Sequence, residues 1–195
     1  MNKIVLDKEK NINLNVSEDT TCIIPKENNI NDLNINISDG VKLIINQYSE
    51  VIENNLFIRI NQSSNSDFIY NHSFISKKEY NLNINVNMIG NNSKNIINVH
   101  GISDEGKSKV IVDGNVIKDT RDNELYENIK LLNINNGTSN IYPNMYIDTK
   151  NVIANHSASI STVNEDYIFY LMSKGIDRKN AIKLILDGFL ENDAR

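Results

Sequence analysis

Apolar and polar residues alternate in short runs over most of the chain. Ile12-Asn13-Leu14-Asn15-Val16, Leu33-Asn34-Ile35-Asn36-Ile37 and Leu82-Asn83-Ile84-Asn85-Val86 each follow a period of two. That period puts every second side chain on one face, so each run predicts a strand with one apolar and one polar side. Further runs lie at Leu43–Ile45, Phe57–Ile60, Ile96–Val99, Val110–Val112 and Leu131–Ile134. Turn material separates them at Ser38-Asp39-Gly40, Gly90–Ser93 and Asn135-Asn136-Gly137. Strands at this spacing, with no helical pattern between them, fit a sandwich, a barrel or a β-solenoid, and no strict repeat decides among these.

Near residue 163 the period changes to 3.6. Asn164 is placed to cap a helix opening on Glu165-Asp166, with Ile168, Leu171 and Met172 on one face. Gly175 then fits a left-handed stop, with Ile176 folding back on Leu171. Asp177 caps a second helix whose stripe is Ala181, Ile182, Ile185, Leu186 and Phe189. The expected organisation is a β body over 1–162 and a helical hairpin over 163–195.

Composition narrows the function. The 195 residues carry a net charge of -5, which argues against nucleic acid as a partner. A single cysteine, Cys22, excludes a disulfide framework or a Cys-rich metal motif within one chain, and beside Ile23 and Ile24 it reads as a small core hydrophobe. No apolar run is long enough to span a bilayer and the first residues lack a signal-peptide core, so a soluble cytoplasmic protein is expected. Asparagine occurs 36 times and isoleucine 31 times. AT-rich coding accounts for that bias, and it devalues the Asn-x-Ser/Thr matches as glycosylation signals.

Gly101–Ser108 matches G-x-x-x-x-G-K-[ST] at every position. A phosphate loop needs a helix to begin at its lysine, so that backbone amides and the helix dipole cradle the phosphates. Here Lys109–Ile117 reads as strand, turn, strand, and Asp104 and Glu105 would face the polyphosphate. A hairpin loop is the better reading, and a nucleotide-binding enzyme using this segment is kept as the alternative. Among other residues, His100 reads as a surface or turn residue. The Asn71-His72-Ser73 echo of Asn155-His156-Ser157 reads as coincidence. Asp119, Asp122, Glu124 and Glu127 read as a solvated acidic loop. No arrangement of residues favours nucleophilic or paired-carboxylate catalysis.

Three stretches carry a family resemblance. They are Gly106-Lys107-Ser108 through Val112–Ile117, then Asn128–Leu132, and then Pro143–Asp148 with Val152–Ile160 and Ile168–Ile176. The last resembles P-x-L-x-I, D-V-x-x-x-H-G-A-T-V-G and L-F-Y-L-x-S-R-G-I of the SufB/SufD family of iron–sulfur cluster assembly proteins. Ala181-Ile182 to Gly188–Leu190 fits that family's final helix. The resemblance covers residues from about 101 to 190, and it is what selects the solenoid. It implies a right-handed parallel β-helix followed by a C-terminal two-helix hairpin.

In function, the resemblance implies a non-enzymatic, SufD-like assembly subunit. Such a chain pairs its core with a SufB/SufD-like subunit, or with itself as a homodimer, and docks a SufC-like ATPase. No cofactor is bound firmly, and a transient iron–sulfur cluster is implied. His156 matches the family histidine near the cluster-assembly site, as an iron ligand or proton carrier; the competing reading is a histidine held at a strand–helix junction. Ser157 stands where SufB-type scaffolds carry a carboxylate, and the scaffold cysteine is missing, so the chain looks more like SufD than SufB. Tyr167, Phe169, Tyr170, Lys174, Gly175, Ile176 and Phe189 are the expected partner-binding residues, the aromatics either docking the partner or capping the end of the solenoid. A free-standing solenoid that has lost the cluster role is the remaining possibility.

Overall fold

Isoleucine-rich alternating runs need a second apolar face, and here each finds it across a shared core, in strands of the same chain on the opposite side. The computed structural model describes residues 1–6 and 9–191. Eleven strands are followed by two helices: β1 (Asn2–Val5), β2 (Asn11–Val16), β3 (Thr20–Ile24), β4 (Asp32–Ile37), β5 (Lys42–Gln62), β6 (Asp67–Met88), β7 (Lys94–Asp104), β8 (Lys107–Val116), β9 (Asn123–Ile134), β10 (Thr138–Ile147), β11 (Val152–Thr162), α1 (Glu165–Ser173) and α2 (Arg178–Glu191). All pairings are parallel.

The strands stack in two ladders. One runs β1-β3-β5-β6-β7-β9-β11 and the other β2-β4-β5-β6-β8-β10. β5 and β6 each serve both ladders, bending at a register irregularity between Val51 and Glu53. The result is a β-solenoid, as the resemblance implies. Its core lies between the ladders and is filled by the inward rows, among them Leu43, Ile45, Ile58, Ile60, Phe68, Tyr70, Leu82, Ile84, Val110 and Val112.

Asparagine serves this architecture in two ways. On the outward face, Asn71 donates to Asn46, Asn98 to Asn71 and Asn128 to Asn98, each at 2.9–3.0 Å. A second column runs Asn15-Asn36-Asn61-Asn87-Asn115. Stacked side-chain amides satisfy one another from level to level, as in other in-register parallel arrays. At the corners, Asn65, Asn92, Asn135 and Asn136 take positive φ, a conformation asparagine tolerates better than most residues. Whatever the codon bias, these amides have structural work.

The rungs stay aligned while the turns lengthen. Ladder partners are 21 residues apart at Asn15/Asn36, 25 at Asn36/Asn61 and 28 at Asn87/Asn115. They are 30 apart at Asn98/Asn128. A spacing that drifts this far leaves no fixed period in the sequence.

The hairpin forms as its caps predict. The Asn164 side chain accepts from the Asp166 amide at 2.8 Å. Gly175 has φ +87, its N–H bonds Met172 O, and Ile176 N–H bonds Leu171 O at 3.3 Å, which is the double closure of a Schellman stop. Asp177 caps α2 through the Asn180 amide. α2 folds back along the outer face of the first ladder, where Leu186, Phe189 and Leu190 meet Ile75, Ile102, Leu132 and Ile134. The hairpin thus covers a side of the solenoid and not its end. His100, expected at the surface, lies buried beneath α2 with its ring 5.4 Å from that of Phe189.

Candidate functional site

Among the described residues, β11 is the last rung of the first ladder and pairs on one edge only, with β9. Its Cα partners are Ala154↔Leu125, His156↔Glu127, Ala158↔Ile129 and Ile160↔Leu131. Leu125, Glu127, Ile129 and Leu131 all point into the core and are buried. In an in-register parallel ladder the partner rows share a face, so Ala154, His156, Ala158 and Ile160 form the inward row of the final rung. With no rung above them among the described residues, His156 and Ile160 are exposed. His156 therefore sits mid-strand at the open mouth of the solenoid, away from the strand–helix junction considered from sequence.

Directly below it, Glu127 is fully buried and neither carboxylate oxygen has a hydrogen-bond partner. Burial, with a smaller push from Asp113, raises its carboxyl from 4.5 to about 8. Across the core stands Gly114, where a Cβ would come within 2.8 Å of Glu127 Oε1. The missing side chain is what gives the carboxyl room. Glu127 is thus no member of a solvated loop. Asp119 and Asp122 do lie in the β8–β9 connection, both at positive φ. Glu124 faces outward and pairs with Lys94 at 2.9 Å, which holds its carboxyl below the usual range. Sequence parity holds the signal for Glu127, because it falls in step with Leu125, Ile129 and Leu131.

The other histidines are structural. His72 is buried within β6, its Nε2 2.9 Å from Tyr80 Oη and its Nδ1 3.3 Å from Gln47 O. Desolvation lowers its pKa from 6.5 to about 4. His72 stacks on Gln47 and Val99, whereas the column of His156 passes through Glu127, Ile97 and Tyr70. The two sequence triplets therefore occupy different columns, in keeping with a chance echo. Cys22 is a core residue whose thiol burial raises to about 11.

Gly101–Ser108 forms strand, corner, strand. Gly101 packs under Phe74, Glu105 turns the corner at φ +61, and the Ser108 hydroxyl is buried against that of Ser103. No helix starts at Lys107 to receive a phosphate. Two surface recesses, of about 390 and 650 Å³, are lined by residues such as Pro25, Tyr48, Glu50 and Tyr80, and neither includes His156.

α1 carries the other candidate surface. Only Ile168 of this helix is buried, while Tyr167, Phe169 and Tyr170 are 64%, 58% and 62% exposed. Lys174 lies over the Tyr170 ring at 5.4 Å. Ile176 is half-buried at the turn, and Phe189 faces the β body beside His100. The aromatics cap nothing, since the hairpin leaves the end of the solenoid open. No described group of three or more His, Cys, Asp and Glu is placed to hold a metal. No helix among the described residues is long and apolar enough to cross a membrane.

Comparison with known proteins places this geometry. Residues 41–189 match the family described as SUF system FeS cluster assembly, SufBD core domain. The match reaches back to Val41, well before the motif-bearing stretch that begins near residue 101. An iron-sulfur cluster assembly SufBD family protein of Galdieria sulphuraria is 34% identical over 108 residues, covering 52% of this chain and 47% of that protein. One from Archaeoglobus fulgidus is 34% identical over 105 residues, covering 53% and 28%. The iron-sulfur cluster assembly protein SufB of Bacillus subtilis is 40% identical over 57 residues, covering 29% and 12%. The aligned part spans less than half the length of each of these relatives. The chain belongs to the SufBD family.

Proposed function

We propose that this SufBD-family chain is a non-catalytic, SufD-like component of iron–sulfur cluster assembly that joins partners around a nascent cluster. The observation that carries the reading is the open end of the solenoid: among the described residues no strand pairs with the outer edge of β11, and its inward row, with His156, is exposed in a chain of this family. An unpaired strand edge is a ready template for another strand, so a second SufB/SufD-type subunit, or a second copy of this chain, covers it. His156 then lies at the joint, where an imidazole can ligate iron in transit.

The α1 aromatics supply a second contact. Exposed Tyr and Phe grouped on a short, well-capped helix suit the apolar centre of an interface, and a SufC-type ATPase is the partner assigned to them. Nucleotide chemistry then belongs to that partner and not to Gly101–Ser108. The chain acts in the cytoplasm in this reading.

Two measurements test the proposal. Light scattering at tens of micromolar should give a dimer when no other subunit is present, and a clean monomer counts against self-pairing. Pull-down with the cognate ATPase should succeed for the unmutated chain and fail for Gly175→Val, with the β body still folded. Failure with the unmutated chain removes the docking role. Micromolar ATP binding that is lost in Lys107→Ala would reinstate the nucleotide-binding alternative.

A further inference from the structure

We propose that Glu127 and His156 together form a two-donor site for a divalent transition-metal ion just inside the open end of the solenoid. The reading of the ion as iron rests on the assembly role above; the site itself rests on the side chains.

A carboxyl group removed from water needs a hydrogen-bond partner, a counter-charge or a proton. Glu127 has no hydrogen-bond partner at either oxygen. The charged side chain felt most strongly there is Asp113, which has the same sign. The mouth above it does offer a second donor. His156 is its Cα partner one rung up on the same inward row, about 4.8 Å away along the stack. Gly114 keeps the opposite wall clear at Oε1, where even a methyl group would intrude at 2.8 Å. Met145 lies over Gly114 on the adjoining rung and is half-buried, so the space beneath the last rung is walled on that side too.

One carboxylate and one imidazole are a donor pair suited to ferrous and similar ions, and they leave further coordination positions for water or a second subunit. Two protein donors hold an ion loosely enough to pass it on.

The test uses the purified full chain and cobalt(II) alone, followed by calorimetry and by visible absorption. The expected result is about one ion per chain, weakened at least tenfold by Glu127→Gln and by His156→Ala, and unchanged by the outward-facing Glu124→Gln. His156 is exposed, so His156→Ala should fold whatever Glu127 tolerates. If Glu127→Gln fails to fold, Glu127→Leu suits the apolar surroundings and replaces it. Wild-type affinity in either the Glu127 or the His156 variant overturns the proposal. So does an equal loss in Glu124→Gln, or no binding by the unmutated chain. ATPase pull-down with the Glu127 variant separates the two readings: cobalt loss with docking intact supports the site, while docking failure in the unmutated chain leaves the cobalt result standing.

Discussion

His72 and Glu127 both project into the solenoid, both are fully buried, and the chain treats them in opposite ways. His72 sits among β5 and β6, with both ring nitrogens within reach of partners and Tyr70 tied into the same network through Gln47 at 2.7 Å. Glu127 sits one rung from the mouth with nothing to bond. The middle turns are closed above and below, so a polar group there has to be satisfied by the chain itself. The last turn is closed below and open above, and its unmet polar group faces the side from which something else can arrive. Asn95 Oδ1 in β7 is also without a partner, but among the described residues the one buried carboxylate with both oxygens unmet lies a single rung below the mouth.

The contrast can be broken most severely in the closed region. Gly101→Val would drive a branched side chain into the Phe74 ring, which already fills the space that a Cβ at this position needs. Urea unfolding should show a loss of about 3 kcal/mol or more. Tyr80→Phe leaves His72 Nε2 without its partner, and the same measurement should show a loss of roughly 1–3 kcal/mol.

The two regions should also separate by pH. The pKa of His72 falls from 6.5 to about 4 on folding, so its contribution is present above 6.5 and is lost as the pH drops through 4. The pKa of Glu127 rises from 4.5 to about 8, so its contribution is complete below 4.5 and is lost as the pH rises through 8. Glu127→Gln should therefore gain stability relative to the wild type as the pH goes from about 5 to about 8.5, in melts at fixed ionic strength. A difference that stays flat with pH would show Glu127 to be better solvated than its burial indicates.

The smallest effect is expected on the outer face. Asn98→Ala removes one rung of an outward-facing ladder and should cost about 0.5 kcal/mol. It should leave both the His72 network and the mouth unchanged.

Much of this architecture is legible in the residues alone. Alternation locates the strands, and the corners at Ser38–Gly40 and Asn135–Gly137 fall where turn chemistry places them. The caps at Asn164, Gly175 and Asp177 are equally plain, because each depends on a few neighbouring residues. Pairing is not legible, since which rung lies under which depends on turn length, and that length drifts. His100 escapes the sequence for a related reason: the helix that buries it, through Phe189, lies about ninety residues further along the chain. Glu127 escapes it because the nearby Asp119, Asp122 and Glu124 suggest a charged loop, although its own parity is that of the core.

The drift in turn length bears on how such a chain can change over generations. Between Asn15/Asn36 and Asn98/Asn128 the turn grows from 21 to 30 residues, yet amide still meets amide at each rung of both columns. The corners absorb the added residues, and the rungs do not shift. Insertions at a corner are therefore close to neutral for the stack, whereas a single residue gained within a rung would turn its whole inward row outward. A lineage can thus vary its corner loops freely and lengthen or shorten the stack by whole turns. The terminal rung, and whatever it presents, is carried along each time as an intact surface.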